Sequence, residues 1–490
     1  MNDTTIVPYI SLGGFPEIAG SYVHRKGSFM KNFFEPESVA LIGISRKSGP
    51  GSLNLMERMI QFGFPGQIYP VNPNAKKILG KQAYPNVRDV KERIDLAVIS
   101  SPRETTIRIL EDCVAANIKA AIVVNQGFTD ADRRGNELQQ KMEELAIRDG
   151  IRILGPNTLG VLNNFNNFTT SFMPVVKEKA PVGLICQSGI HIVAPAEFCG
   201  EIGKGVDLGN ACDVGFYDAL KYFAEDPGIE VIAIHMEGLK QGKRFLSLAG
   251  KVVKDKPIVI HKSGSSETGA KAAMSHTGSI AGDYQLLKTA LKQTGATFLE
   301  EAGQMPHAVK TLRNLPLMKG DRVAVITYSG GAGIMVSDGL EKYGLKLASL
   351  SPETTGKVAE LSPDWMPLGN PLDIWPALML HTAEKVCSVA LRAVLDDPNV
   401  DGVLCIAIAP VPEFSNLEVS QLLNSVVEES SSHKPVVVWT YGPNAREVRR
   451  KYESKKRIMT YPTLEIATWA LSLLRDRFKI VEPGAQDSFP

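Results

Sequence analysis

What most limits the folding options of this chain is an alternation, repeated three times, of short apolar runs with segments of helical period. Such alternation marks βαβ units and parallel sheets covered by helices. In the first block SVALIGIS, QIYPVN, IDLAVISS, AAIVVN and IRILG read as strands, and LNLMERMIQFGF and TIRILEDCVAAN as helices. The second block begins near residue 180, where strands VGLICQ, GVDLG, EVIAIHM and PIVIHK alternate with a helix from Gly189 and with FYDALKYFA and FLSLAGKVV. The third begins at Arg322, with strands RVAVITY, DGVLCIAI and PVVVWT and the helix GIMVSDGLEKYG.

At 490 residues the chain exceeds what one hydrophobic core supports. The expected fold class is α/β, with three consecutive Rossmann-like or flavodoxin-like domains built on mainly parallel sheets. The expected units are an N-terminal extension over 1–29, then 30–165, 166–312 and 313–490. The stretch RNLPLMKGD, around 313–321, reads as the linker before the last.

A formal net charge of +1 gives no long-range pull on nucleic acid or an anionic membrane. The apolar runs are strand-length and well short of a span, and the N-terminus lacks a basic start followed by an apolar core, so a cytoplasmic location is expected. Six cysteines, at 113, 186, 199, 212, 387 and 405, form no CxxC pair or Cys/His cluster, so no metal site is expected.

In parallel sheets ligands bind beyond the carboxyl ends of the strands. The first strand runs into Gly43-Ile44-Ser45-Arg46-Lys47-Ser48-Gly49-Pro50-Gly51 before a helix. Glycines let the backbone approach a phosphate, N–H groups at a helix start bind anions, and Arg46 or Lys47 adds charge. The same loop also reads as a tight structural turn. It is not GxGxxG, so a nicotinamide cofactor is not implied. The next strand ends bring Asn72 and Pro73, then Ser101 and Pro102, and their convergence favours a nucleotide-type ligand.

The segments SVALIGISRKSG, IYPVNP, VNQGF and GPNTLG resemble the CoA-binding domain of NDP-forming acyl-CoA synthetases, relatives of succinyl-CoA synthetase. The resemblance continues in order through PVGLICQSG, DLGNACDV, HMEG, KSGSSETGAKAAMSHTGSIAG, TYSGGAG and NPLD, over roughly residues 34 to 475. It implies that coenzyme A is held by Gly43, Ser45, Arg46, Lys47, Ser48, Asn72, Pro73, Ser101, Pro102, Asn125 and Asn157.

The resemblance places a phosphohistidine at His276, in a loop of small residues with a helix following at Tyr284. Small neighbours let an imidazole sit exposed and its loop move. A phosphohistidine needs its other ring nitrogen held, and the resemblance carries the histidine-orienting glutamate to Glu237; the bland alternative is a solvated glutamate at a strand end. Gln187-Ser188-Gly189, at a strand-to-helix turn, matches the family's phosphate-holding segment. A second such turn at Gly330 and Gly331 reads either as another phosphate cradle or as glycines serving helix packing. The chain departs from the family at Cys186 and at Ile190-His191-Ile192, where His191 either alters the acyl pocket or packs at a domain seam.

The three blocks leave no room for an ATP-grasp module of on the order of two hundred residues. The resemblance therefore implies a separate ATP-grasp beta-type subunit carrying Mg²⁺ and ADP or ATP, in a hetero-oligomer or homodimer, with acyl-CoA or carboxylic acid and phosphate as substrates. Two other readings are a CoA-sensing regulatory or scaffold protein without turnover, and a dehydrogenase. The presence of both His276 and Glu237 weighs against the first, and the missing GxGxxG against the second.

Overall fold

The computed structural model describes residues 29–277 and 283–482, with side chains described outside 274–282. The first sheet contains β1 (Ser38–Ile42), β2 (Gln67–Val71), β5 (Leu96–Ile99), β6 (Ala120–Val123) and β7 (Arg152–Leu154), with β3 (Lys77–Ile78) and β4 (Lys81–Gln82) forming a small hairpin beside it. Its order is β2-β1-β5-β6-β7 and all its pairings are parallel. Every residue of β1, β5 and β6 is buried, which explains why these strands read as unbroken apolar runs rather than as alternating ones.

The chain then crosses to a second sheet before completing any further helix. β8 (Val161–Asn163) and β9 (Phe168–Thr169) join β10 (Val182–Cys186), β11 (Lys204–Asp207), β12 (Val231–Met236), β13 (Ile258–Lys262) and β14 (Thr297–Leu299) in the order β14-β13-β12-β10-β11-β8-β9. β8 runs antiparallel to β11, so residue 165 falls between two strands of this second sheet. The short helix Lys31–Phe34 is tied to the same layer: Phe34 stacks on Tyr222 at 4.7 Å, and the Glu35 carboxylate accepts from the buried Lys204 ammonium at 2.8 Å.

The third sheet has β15 (Arg322–Thr327), β16 (Lys346–Leu347), β17 (Leu372–Asp373), β18 (Gly402–Ile408), β19 (Val436–Tyr441) and β20 (Ile458–Tyr461). Its path is β16-β15-β18-β19-β20, with β17 paired to β15. The stretch expected as a linker is packed instead, because Leu315 and Met318 are buried in the core of this third layer. The last helix, Leu464–Val481, ties the third layer to the second: the Arg477 guanidinium donates to the carbonyls of Val253 and Lys254.

Two other expectations change. The helix expected from Gly189 is a single turn, Ile190–Val193, broken at Ala194 and restarted as Pro195–Phe198. β-branched Ile190, Ile192 and Val193 are weak helix formers, and Pro195 has no N–H to continue the ladder. Of the loop expected around His276, the part up to Thr277 is helical, in Glu267–Thr277, a segment with three alanines whose Glu267 and Lys271 pair one turn apart at 2.9 Å. Among the described residues no helix is long and apolar enough to cross a membrane.

Candidate functional site

The carboxyl ends of β1, β2 and β5 open onto a cavity of about 310 Å³ around Gly43, Asn72, Pro73, Ser101 and Pro102. Gly43 has φ +78°, and a Cβ there would stand 2.0 Å from the Ser101 hydroxyl oxygen and 2.7 Å from the Ser100 carbonyl. Only glycine fits this crossing, which keeps the strand ends level and open to a ligand. Asn74, Asn86, Thr105, Arg108 and Asp112 complete the polar wall; Arg108 brings a positive charge that the sequence reading did not assign, and Asp112, paired with Arg88 at 3.0 Å, a negative one.

Ser45, Arg46, Lys47 and Ser48 do not line this cavity. Their loop arches beside it: the Asn54 amide donates to the carbonyls of Ser45 at 2.8 Å and Lys47 at 2.9 Å, and the Arg46 guanidinium donates to the Asn74 carbonyl at 3.3 Å. The Gly49 N–H, one of the donors expected for phosphate, is already taken by both oxygens of Glu57, at 3.1 and 3.0 Å. Part of the loop's anion-binding capacity is thus filled from within the chain, by a glutamate on the helix that the loop precedes.

A second cavity, about 170 Å³, sits where the ends of β6 and β7 meet the second sheet. Val124, Leu159 and Phe172 are its apolar walls, and Asn157, Gln187, Ser188, Gly189 and Asp207 are among its polar ones. Asn157 has φ +61° and donates its N–H to the Asn125 carbonyl at 2.8 Å, while the buried Asn125 Oδ1 has no hydrogen-bond partner. A buried amide oxygen of this kind requires a partner.

Gln187 lines this cavity, and its amide oxygen is engaged within the chain. Its Oε1 accepts from the backbone N–H groups of Glu237 at 2.7 Å and Gly238 at 3.0 Å, clamping the turn after β12 to the turn after β10. Because the following helix is one turn long, the 187–189 turn offers local N–H groups rather than a macrodipole. Gly330 and Gly331 open a full helix, Gly330–Lys342, at the end of β15. Gly333 takes the packing role, with Pro371 3.1 Å from its would-be Cβ, whereas near Gly330 the closest atom is an Asp373 carboxylate oxygen at 3.1 Å. Neither Gly330 nor Gly331 borders the two cavities described.

Glu237 stands at the end of β12, within electrostatic reach of Asp207 and Lys262. Burial pushes the Asp207 carboxyl up to about 6, and the Glu237 charge adds to the rise. Burial lowers the Lys262 ammonium, and Glu237 opposes that shift. His276 belongs to the last turn of Glu267–Thr277; its side chain, with the whole segment 278–282, lies outside the described residues.

His191 is the packed side chain of the two readings its sequence allowed. Its ring stacks on His235 at 3.9 Å and meets Phe198 at 4.5 Å with the ring planes tilted by 47°, and His235 in turn lies 5.7 Å from His261. Asp207, Glu57 and this histidine stack were not singled out from the sequence as a group, although Asp207 ends the strand GVDLG, where parallel sheets carry their ligand contacts.

Parallel α/β layers with cavities at their strand ends define a protein of the ligand-binding α/β class. Residues 37–164 match the CoA binding domain family, 179–312 the succinyl-CoA ligase like flavodoxin domain, and 323–478 the ligase-CoA domain. The chain is 32% identical over 92% of its length to the ADP-forming acetate–CoA ligase II subunit alpha of Pyrococcus furiosus, covering 98% of that protein. It is 39% identical to the ADP-forming acetate–CoA ligase II of Archaeoglobus fulgidus, over 76% of this chain but only 56% of that longer protein. It overlays the dinucleotide forming acetyl-coenzyme A synthetase 1 of Ca. Korarchaeum cryptofilum, solved in complex with phosphate and ADP, at TM-score 0.80 and 29% identity, covering 93% of this chain and 98% of that one. The chain belongs to the ADP-forming acetate–CoA ligase family.

Proposed function

We propose that this chain is the CoA-binding, phosphohistidine-carrying subunit of an NDP-forming acyl-CoA synthetase. The observation that carries the reading is the line of two cavities along the carboxyl edge of one sheet. Strands lie about 4.8 Å apart, so the cavity at β1, β2 and β5 is roughly 10–15 Å from the one at β6 and β7. A ligand with a nucleotide at one end and a thioester at the end of a flexible arm suits that separation. Gly43, Asn72, Pro73, Ser101 and Pro102 would hold the nucleotide end, with Ser45, Arg46, Lys47 and Ser48 on the overhanging loop. Asn125 and Asn157 would meet the thioester end, where Ser188 and Gly189 offer N–H groups to phosphate.

In this reading HPO4²⁻ attacks the thioester carbon, giving acyl phosphate and the CoA thiol. The phosphoryl group then passes to His276, releasing carboxylate, and from His276 to ADP. Glu237 holds the second ring nitrogen of His276 and stabilises its positive charge. Gln187 contributes by fixing the Glu237 turn against the phosphate turn. ADP and Mg²⁺ would be held by an ATP-grasp partner, the role suggested by the fact that the chain spans about half of its longer relatives and nearly all of those named subunit alpha. The N–H groups of Gly330 and Gly331 would hydrogen-bond the phosphate as it passes from His276 to ADP.

The test is direct. Calorimetry on the chain should show CoA binding in preference to NAD, and radiolabel from phosphate plus acyl-CoA should appear on the chain as an acid-labile, alkali-stable adduct. Tight NAD binding without any response to CoA, or robust ATP formation by the chain alone, would refute the proposal.

A further inference from the structure

We infer, building on the acyl-transfer reading above, that Asp207 is the general base of that transfer: it accepts the proton of the attacking HPO4²⁻ and hands it to the departing CoA thiolate.

Asp207 is the only ionisable side chain among those lining the 170 Å³ cavity, and it is 2% exposed. Two backbone donors fix it: Oδ2 accepts the Leu159 N–H at 2.8 Å and Oδ1 the Gly209 N–H at 3.2 Å. Each carboxylate oxygen keeps a second lone pair for an incoming donor. The carboxylate also lies against the turn assigned to phosphate, with Oδ2 3.3 Å from where a Gly189 Cβ would stand. Two anions that close are compatible only when a proton lies between them. HPO4²⁻ brings that proton, and its P–O–H donates to Asp207 in a short, charge-assisted O–H···O⁻ hydrogen bond. Burial raises the Asp207 carboxyl to about 6, and the Glu237 charge adds to the rise. That is high enough to take up a proton and low enough to be ionised at neutral pH, the range that suits a general base.

The step balances. A phosphate oxygen bonds to the thioester carbon while the P–O–H proton passes to Asp207. The C–S bond then breaks with its electron pair going to sulfur, and the proton moves from Asp207 to the thiolate. Acyl phosphate and the CoA thiol result, and the carboxylate is restored.

In the test arsenate replaces phosphate: HAsO4²⁻ carries the same proton, the acyl arsenate hydrolyses, and the thiol released from acetyl-CoA or butyryl-CoA is counted with an aromatic disulfide, so no partner subunit is needed. Asp207→Asn should lower kcat/KM for arsenate by on the order of 10² to 10⁴, while binding of the acyl-CoA by calorimetry stays within about threefold. The groups facing Asp207 among the described residues are the Glu237 carboxylate at the end of β12, the Cys186 thiol on β10, which burial keeps protonated, and His191 after Gly189, which burial keeps neutral. The ratio of wild type to variant cancels the ionisation of arsenate itself, so it should fall about tenfold per pH unit below about 6 as Asp207 takes up its proton. Should the variant fold poorly, the wild type supplies a second measurement. Sulfate, fully ionised and without a proton, should fail to compete with arsenate at about pH 7.5, where phosphate competes, and should begin to compete near pH 5.5, where protonated Asp207 becomes a donor. A loss of less than about tenfold in the variant, or sulfate competing as well as phosphate at about pH 7.5, overturns the role given to Asp207 while leaving acyl transfer intact. Absence of thiol release from either acyl-CoA by the wild type overturns the acyl-transfer reading, and the role of Asp207 with it.

Discussion

His191 offers a quantitative check on the packing beneath the 187–189 turn. Its ring is 5% exposed, lies between His235 and Phe198, and contacts the Ser188 carbonyl through Nδ1 at 3.1 Å. Burial lowers it from its usual 6.5 to about 4, with the Ser188 contact opposing the shift and the nearby His261 adding to it. A base whose folded value is depressed binds protons more readily when unfolded. Its contribution to stability is therefore full above about 6.5, falls as pH drops, and is lost below about 4. Between pH 7 and pH 5 this costs the second layer about 2 kcal/mol.

His191→Phe keeps a ring of similar size in the stack and removes the titration. All four tryptophans, at 365, 375, 439 and 469, lie in the third block, so their fluorescence would report the wrong layer. A chain of several layers also need not unfold in one step. Amide hydrogen exchange over 182–193 and 231–236 is the proper probe. From pH 7 to 5 the wild type should lose about 2 kcal/mol more protection there than His191→Phe. Equal losses in the two proteins would show that His191 is not the buried neutral base described.

Other perturbations bear on separate parts of the molecule. Gly43→Ala, at φ +78° with its Cβ driven into the Ser101 hydroxyl, should weaken CoA binding at least about tenfold by calorimetry, since the strand ends must part. Lys204→Met should lower amide hydrogen-exchange protection of 204–207 and 216–225 by about 3–5 kcal/mol, because the Glu35 carboxylate and the Tyr222 hydroxyl lose a buried donor at 2.8 Å, and Asp226 loses its counter-charge. The Asp226 oxygen lies 2.8 Å from Nζ without a directed hydrogen bond, so its share is ionic. His276→Asn should abolish acid-labile phosphate on the chain and leave CoA binding unchanged. Glu237→Gln should slow phosphorylation by on the order of 10² to 10⁴ with the partner present; unaltered labelling in the first variant would assign the nucleophile elsewhere, and in the second would take the positioning role from Glu237.

The sequence by itself determined the layered α/β class, because fully buried parallel strands such as β1, β5 and β6 must be unbroken apolar runs, and a linear pattern records that need directly. It also marked Gly43, Asn72 and Ser101, since ligand contacts in such sheets follow the strand ends, and the order of segments from SVALIGIS to NPLD carried the family. Only the tertiary structure decided which strand ends share a cavity. It joined Gln187 to Glu237 across fifty residues, put Glu57 on the Gly49 amide expected for phosphate, and broke the helix after Gly189 at Pro195. It stacked His191, His235 and His261 from one helical turn and two strands, and set Asp207 against Gly189. Those outcomes depend on distances between residues far apart in the chain and on the burial that follows from them. Burial is what turns an ordinary aspartate and histidine into groups titrating near 6 and 4.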